Sequence, residues 1–365
     1  MEKAKISAKQ LFVLMVLFEL GSALLIFPGL SGKQDSWLAI LFGGLGGIIL
    51  FLMYHYLYQL DPNASPYETV SNLLGQRIGW IVSFLYIMYA TYIAARVLRD
   101  FGEMLLISAY PGTPLLFVNG LLIIVCIFSV RKGIEVLART GEILFTIMTL
   151  LALIGCCLII ASGLIHIDNL KPVLGNGIKP VINSTLTQTL YFPFGELIVF
   201  IVILPYLNRP KEVRKTGIWA IIVSALILAV NTATNISVLG VDLTLRSRFP
   251  LLSTIQTIQV AEFLDRLDVF FMLVLIIGGF FKVSLFVYAV NIGASMLFKV
   301  EHPTRLVVPS GLIILILSVS IASNISEHVV EGLDIAPMFV HLPIQIIFPA
   351  VLCLIAFFKK RKKGR

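Results

Sequence analysis

The sequence is poor in charged residues, and this scarcity excludes most classes of soluble protein. Asp, Glu, Lys and Arg together make up 13% of the 365 residues, whereas hydrophobic residues make up 58%. The mean hydropathy of +0.97 is far above that of a soluble domain of this size. The apolar residues form continuous blocks, where the strands of a barrel would alternate. The chain is therefore predicted to be an all-α polytopic membrane protein.

Cysteine and histidine are also scarce, which argues against metal and redox sites. The four cysteines lie inside apolar runs without C-x-x-C spacing, and the five histidines are scattered singly. We therefore expect buried thiols, no metal and no other cofactor. No nucleophile stands beside a base, and no loop holds a pair of carboxylates. An enzyme is accordingly the least favoured class of function.

Ten apolar segments are long enough to cross a bilayer, for which about 20 residues at 1.5 Å per residue are needed. They are residues 10–30, 37–58, 79–108, 114–130, 141–163, 184–206, 217–240, 267–297, 306–323 and 339–358. The first segment follows three lysines, as a signal peptide would. Because Glu19 interrupts it and no A-x-A site follows, we keep it as an uncleaved span.

Basic residues predict the orientation of these spans. With the N-terminus in the cytoplasm, inner segments hold 19 of the 28 Lys and Arg residues, and outer segments hold six. This bias places both termini in the cytoplasm. The net charge of +8 therefore reflects topology, and we expect no nucleic-acid partner. The basic tail, residues 359–365, is predicted to anchor the chain to anionic lipid of the bilayer.

The outer side carries the longer connections and several charges. Residues 165–182 and 241–266 are interpreted either as surface helices or gates over a vestibule, or as flexible caps. On the third span, Arg96 and Asp100 are four residues apart, as are Arg99 and Glu103. Intrahelical ion pairs at this spacing would neutralise the charges, an interpretation that we favour over the lining of an outer vestibule. Three tyrosines on the same span offer hydroxyls to a ligand or serve in packing: Tyr86, Tyr89 and Tyr92.

Two spans carry helix-breaking residues together with a carboxylate at mid-depth. The sixth contains Phe192-Pro193-Phe194-Gly195-Glu196, and the first contains Glu19, Gly21 and Ser22 before Phe27-Pro28-Gly29. Proline removes a backbone donor, and a glutamate in hydrocarbon costs at least about 2.5 kcal/mol unless it is paired or faces a wet cavity. A proline-kinked sixth helix whose glutamate bonds a neighbour is the simpler alternative. Two breaks in corresponding halves predict a 5+5 inverted repeat in one domain, with repeats at about 10–163 and 184–358.

Three stretches resemble the bacterial spore-germination permease family, the B subunits of nutrient germinant receptors. They are Leu190 to Glu196 (LYFPFGE), Asp168 to Gly177 (DNLKPVLGNG), and Phe249 to Leu252 (FPLL) continuing through Phe263 to Asp268 (FLDRLD). The resemblance covers essentially the whole chain. It implies a ten-span LeuT-like fold with broken first and sixth helices and residence in the spore inner membrane. It also implies an A subunit and a lipoprotein C subunit as partners, and a small nutrient as ligand.

The two breaks would supply the site that such a sensor needs. If the first span unwinds near Gly21 and Ser22, freed N–H groups would bind a ligand carboxylate. Glu196 beside Gly195 would then meet a ligand ammonium, and an amino acid fits this better than a sugar. The remaining predicted ligand-site residues are Glu19, Tyr89, Phe192 and Phe194, the two phenylalanines closing an apolar pocket.

Lys282 lies at the centre of the eighth segment, where an unpaired charge is least tolerated. It follows Gly278-Gly279, which would let another backbone approach closely. The LeuT-like resemblance implies that the eighth span packs on the first, where sodium-coupled members hold a cation. We interpret Lys282 as a built-in cation that bridges carbonyls of the first span and Glu19, so that no sodium is needed. The alternative is that it only neutralises Glu19 or Glu196.

A germinant-receptor subunit is the leading function, with a proton-coupled amino-acid permease as the alternative. The same site can either sense its ligand or carry it. Because few charged residues lie in the loops, a signal would have to reach a partner through membrane faces or basic inner loops. We expect the chain to be unstable or silent when it is expressed alone.

Overall fold

A computed structural model of the chain describes residues 4–62, 64–258 and 267–363. Ten helical segments follow one another in the order expected from hydropathy. The first five spans are Ala8–Ala23, Ser36–Leu60, Gln76–Ser108, Leu115–Arg131 and Ile134–Ala161. The seventh, eighth and ninth are Val213–Leu239, Leu267–Leu297 and Val307–Ser320. Within the described chain, eight helices are long and apolar enough to cross a membrane, while the first and fourth spans are shorter, at 16 and 17 residues. These helices make the chain a multi-pass membrane protein.

The sixth and tenth spans depart from regular α-helix. The sixth is built from an α-helix Lys179–Ser184, a π-helix Thr185–Thr189, a turn, and 3₁₀ segments Phe194–Val202 and Leu204–Tyr206. The tenth begins as a π-helix, Pro337–Ile347, which contains Pro343, and continues as an α-helix, Phe348–Lys363. Proline removes a backbone donor, and π segments inside helices often mark functional sites. The break in the sixth span therefore lies beside a second irregular helix.

The first span is the centre of the bundle, since it packs against the fifth, seventh and eighth spans. Ser7 and Gln10 form a capping box at its start, which fixes where the helix begins. The helix continues through Gly21 and Ser22 and ends at Ala23. The expected unwinding near Gly21 and Ser22 is therefore wrong in position.

The interruption of the first span comes later, at residues 24–29, and a 3₁₀ segment, Leu30–Asp35, follows it. Proline at position 28 and Gly29, with φ at +89°, supply the physical reason. A φ in this region is cheap only for glycine, and it prevents the helix from continuing.

Short helices cover the ends of the bundle. They are Pro66–Leu74 between the second and third spans, Val241–Arg246 and Pro250–Gln256 after the seventh, and Ile325–Val330 before the tenth, with a π-helix turn at Glu331–Ile335. Surface helices are thus present in the connection after the seventh span. The predicted amphipathic stretch that ends with residues 262–266 lies outside the described residues, as do the last two residues of the basic tail, 364–365.

Two span boundaries differ from hydropathy in an instructive way. The fifth span begins at Ile134, directly after Gly133, whose φ of +88° interrupts the helical backbone, and its first turns carry an exposed Arg139–Glu135 ion pair at the i, i+4 spacing. The tenth extends into the basic tail, where Lys359 Nζ donates to the carbonyls of Asn72 and Leu73 at 3.2 and 2.9 Å. Hydropathy detects neither the backbone conformation nor these polar contacts.

Candidate functional site

The break in the sixth span is held open by the second and tenth spans. Tyr54 donates from its hydroxyl to the carbonyls of Gly195 and Gln345, at 3.2 and 2.8 Å. Gln345 Nε2 donates to the carbonyl of Tyr191 at 3.2 Å. Carbonyls freed by the break are therefore satisfied by side chains, as a buried backbone requires. Sequence reasoning missed Tyr54 and Gln345, because neither belongs to a recognisable motif.

Lys282 forms an ion pair with Glu196 at the centre of the bundle. The Lys282 Nζ atom lies 2.5 Å from Glu196 Oε2, and the two side chains are 0% and 4% exposed. The same ammonium lies 5.0 Å from the ring centroid of Phe18 and 4.8 Å from that of Phe192. An aromatic face attracts a cation most strongly where water is excluded.

This geometry corresponds to the predicted alternative in which Lys282 neutralises Glu196. Among the described residues, Lys282 makes no hydrogen bond to a carbonyl of the first span. The predicted close backbone approach at Gly278 is present, because a Cβ built on Gly21 would lie 2.8 Å from the Gly278 carbonyl oxygen. The first and eighth spans therefore meet at glycines, with Lys282 one turn beyond the contact.

A small cavity lies between the end of the first span, the third span and the break of the sixth. Three predicted ligand-site residues line it: Ser22, Phe192 and Glu196. Three further polar residues that the sequence analysis did not place at the ligand site line it as well: Arg96, Asp100 and His341. The Ser22 hydroxyl is buried and has no hydrogen-bond partner in the described chain. The cavity therefore offers both charged and hydroxyl groups to a small polar molecule.

The remaining predicted ligand-site residues lie outside this lining. Phe194 is completely buried and packs against the second span, where a Cβ on Gly47 would come within 2.6 Å of Phe194 Cβ. Gly21 contacts the eighth span, and Glu19 is buried one turn below Ser22. Gly195 lies against Gln345 of the tenth span. These four residues support the cavity without facing it.

The tyrosine hydroxyls of the third span bond to other parts of the protein. Tyr89 accepts from Gln345 Nε2 at 2.7 Å and lies 3.0 Å from His341 Nδ1. Tyr86 donates to the carbonyl of Ile344 at 3.2 Å, and Tyr92 donates to Glu331 at 3.1 Å. Tyr89 lines a separate apolar pocket on the predicted inner side. All three hydroxyls are therefore bonded within the protein, and a contact of Tyr89 with a ligand stays a prediction.

The charged residues of the third span agree in part with each of the two interpretations made from the sequence, intrahelical ion pairing and the lining of an outer vestibule. Arg99 and Glu103 form the predicted intrahelical pair, with Nη2 and Oε1 3.2 Å apart. Arg99 Nη1 also donates to the carbonyls of Val319 and Ala322, at the end of the ninth span. Cations are stabilising at this end of a helix, where carbonyls lack partners.

The expected Arg96–Asp100 pair does not form. Arg96 instead binds Glu331 at 3.1 Å and the carbonyl of His328 at 2.5 Å. Asp100 Oδ1 lies 2.7 Å from His328 Nε2. Arg96 and Asp100 each bind partners that are 228 or more residues away in the sequence, because these partners approach the helix from its buried side. Both side chains remain at the edge of the cavity.

The cavity continues toward the predicted outer side. A larger vestibule shares Ile26, Asp100, Val329 and Leu333 with it and is also lined by Arg246 and Arg248. The vestibule therefore joins the cavity to the surface between the third span and the two outer connections.

The N-terminal segment lies at the opposite end of the bundle. Ile6 donates from its N–H to the carbonyl of Tyr206 at 2.9 Å, and its carbonyl accepts from Asn208 at 3.0 Å. Lys9 Nζ lies 3.2 Å from Glu142 of the fifth span. The segment therefore connects the end of the sixth span to the first and fifth spans.

This arrangement of broken helices around a central cavity is that of a LeuT-like transporter fold. The solved structure of MhsT in complex with L-phenylalanine matches with a TM-score of 0.71 at 15% identity, over 98% of this chain and 89% of that one. At this identity the match shows the fold alone.

Sequence comparison then defines the family. The model of the spore germination protein family, Spore_permease, matches residues 5–326, and the chain belongs to this family. Spore germination protein KB of Bacillus subtilis (strain 168) is 58% identical over 365 residues, covering 100% of this chain and 98% of that protein. Spore germination protein YndE of the same strain is 24% identical over 366 residues, covering 99% and 98%.

Proposed function

We propose that this chain is the nutrient-binding membrane subunit of a spore germinant receptor, acting in the spore inner membrane with an A subunit and a lipoprotein C subunit. The observation that carries the proposal is the polar cavity beside the break in the sixth span, which shares lining residues with the vestibule on the predicted outer side. A receptor needs a site that the external nutrient can enter, together with an element that has two arrangements. The irregular sixth and tenth spans are suited to be that element.

A small amino acid is the ligand class that we favour. Arg96 at the cavity edge is suited to a carboxylate, and Asp100 to an ammonium group. Glu196 is already paired with Lys282, so it would contact the ligand as a member of a neutral pair. The structural neighbour MhsT was solved with L-phenylalanine, which is consistent with this class of ligand.

The way in which the first span would contribute differs from the sequence-based hypothesis. The N–H groups of Leu24 and Ile26 are bonded to the carbonyls of Leu20 and Ser22. The end of the first span therefore presents a helix C-terminus, which does not attract a carboxylate. Arg96 takes that role, and Ser22 adds a hydroxyl.

Equilibrium binding to the purified full chain in lipid nanodiscs tests this assignment. Radiolabelled amino acids serve as probes, and unlabelled sugars serve as competitors. We expect Asp100→Asn and Glu196→Gln each to weaken amino-acid binding by about tenfold or more, equivalent to about 1.4 kcal/mol. Glu135→Gln is the matched control, because Glu135 lies in an exposed pair far from the cavity. Saturable binding of a radiolabelled sugar, with no binding of any amino acid, would overturn the ligand class.

A proton-coupled amino-acid permease is the second candidate, favoured by the transporter fold. Uptake into proteoliposomes separates the two functions. Concentrative uptake driven by a proton gradient would favour the permease, whereas binding without uptake would favour the receptor. Expression in spores with and without the two partner subunits completes the test, since a strong nutrient response from the chain alone would contradict the need for partners.

A further inference from the structure

Two buried carboxylates lie near a single lysine at the centre of the bundle. Glu196 holds Lys282 at 2.5 Å. Glu19 is 0% exposed, and neither of its carboxylate oxygens has a hydrogen-bond partner among the described residues. An ionised carboxylate in such a place is strongly disfavoured unless it is paired. Glu19 therefore needs an explanation that the nutrient cavity does not supply, since it does not line that cavity.

The spans packed against the first span offer Glu19 few charged neighbours. The eighth contributes Lys282, and the seventh contributes the Ser224 hydroxyl, which lies close to the Glu19 carboxyl group. The charged groups on the other three spans are engaged elsewhere. Glu196 on the sixth is paired with Lys282, Glu142 on the fifth is bound to Lys9 and Gln10, and Arg96 and Asp100 on the third are bound to Glu331 and His328. Within the described part of the chain, Lys282 is thus the cation that lies near both glutamates.

We propose that Glu19 is a proton-binding site, occupied while Lys282 is paired with Glu196. The carboxylate takes one proton from water and becomes a neutral carboxylic acid, and no other reactant is needed. Its new O–H group is then a donor beside Ser224, and the remaining oxygen is an acceptor. With the proton bound, one lysine is balanced by one carboxylate, so the buried centre carries no net charge.

The placement of Ser22 gives this proton a route to solvent. Ser22 lies three residues after Glu19 on the same helix, so the two side chains lie on the same face. Its hydroxyl lines the cavity and is otherwise unpartnered in the described chain. Water in the cavity therefore comes within one helical turn of Glu19.

Release of the proton would couple the two breaks. An ionised Glu19 would compete with Glu196 for Lys282, whose Cβ packs directly against Gly21 of the first span. Proton exchange at Glu19 is then linked to the Lys282–Glu196 pair, and through it to the break of the sixth span. The inference concerns the empty protein and does not depend on which nutrient binds.

Infrared spectroscopy of the full chain in lipid vesicles at neutral pH tests the proposal. A protonated buried carboxyl group gives a C=O stretching band separate from ionised carboxylates, and this band shifts in D₂O. We expect the band in the native protein and its loss in Glu19→Gln. In Glu196→Gln the band should weaken, because Lys282 has lost its partner and can pair with an ionised Glu19. Absence of the band from the native protein, or its persistence in Glu19→Gln, would overturn the proposal.

A second variant keeps the test decisive if Glu19→Gln does not fold. Ser224→Ala removes only a hydroxyl beside Glu19, so the protonated band should remain at a shifted frequency. An unshifted band would place the proton on another carboxyl group and would also overturn the assignment. Thermal unfolding of each variant in the same vesicles shows that the spectra come from folded protein.

Discussion

The first and sixth spans carry similar helix-breaking residues, yet they are interrupted in different ways. The first remains an α-helix through Ala23, and its carboxylate, Glu19, lies before the break. The sixth passes from π-helix through a turn into a 3₁₀ helix, and its carboxylate, Glu196, comes directly after the break. Of these two glutamates, Glu196 forms the ion pair with Lys282.

This difference shows that a carboxylate beside a break is not by itself a ligand group. Glu196 stands where the backbone turns toward the cavity, so its side chain reaches both the cavity and Lys282. Glu19 stands inside a regular helix that is surrounded by other spans, so it faces protein. The order of carboxylate and break along the chain therefore separates the two environments.

Of the changes that test this difference between Glu19 and Glu196, removal of Lys282 should have the largest effect on stability. Lys282→Met leaves Glu196 buried without its counter-charge, which is expected to cost about 3–5 kcal/mol. The measurement is the free energy of unfolding of the full chain in bicelles. The double variant Lys282→Met with Glu196→Gln should recover most of the loss, because neither charge is then buried alone. A double variant as unstable as the single one would show that the pair is not the cause.

Two neighbouring phenylalanines test which side of the sixth-span break faces the ligand. Phe194→Ala should cost about 3–5 kcal/mol of unfolding free energy, because the ring fills a fully buried site against the second span. Phe192→Ala should cost clearly less, since Phe192 is partly exposed and lines the cavity, but it should weaken nutrient binding. Equal losses of stability would contradict this assignment. Binding to each folded variant is measured by equilibrium titration.

Substitution of Gly21 tests whether the close approach of the first and eighth spans depends on backbone contact. Gly21→Ala would put a Cβ 2.8 Å from the Gly278 carbonyl oxygen and 3.2 Å from Lys282 Cβ. The spans must separate, at an expected cost of about 1–3 kcal/mol. Gly120→Ala in the fourth span is the control, because nothing lies within 4 Å of its added methyl group. Similar stability of both variants would refute a packing role for Gly21.

The smallest expected effect is that of replacing sodium with potassium. Lys282 places a positive charge where the eighth span meets the first, and that no bound sodium ion is needed there stays a prediction. Nutrient binding to the native chain should therefore be equal in the two salts at the same ionic strength. A requirement for sodium would show that Lys282 does not replace the ion.

Much of the fold could be predicted from the sequence because bilayer thickness sets the length of a span. Hydropathy located all ten segments, and proline and glycine located both interruptions to within a few residues. The end of the first span was missed because apolar residues continue after Ala23, and hydropathy does not detect a change in backbone conformation. The repeat boundaries and the orientation of the termini stay predictions.

The site could be predicted only in part. Ser22, Phe192 and Glu196 were found because they adjoin the two breaks, whereas His341 gave no signal in an apolar stretch of the tenth span. Helical spacing correctly suggested the Arg99–Glu103 pair, since residues four apart are always neighbours. The same rule failed for Arg96 and Asp100, because it cannot weigh a neighbour on the same helix against one brought in by another helix.

The sequence by itself determined the membrane class, the number of spans, the breaks and the need for a partner for each buried charge. These follow from local chemistry, since apolar length, proline, glycine and a desolvated carboxylate act wherever the chain places them. The tertiary structure alone decided that Lys282 meets Glu196 instead of Glu19, and that His328 meets Asp100. Such pairings depend on which helix faces approach one another, a property of packing that no spacing along the chain contains.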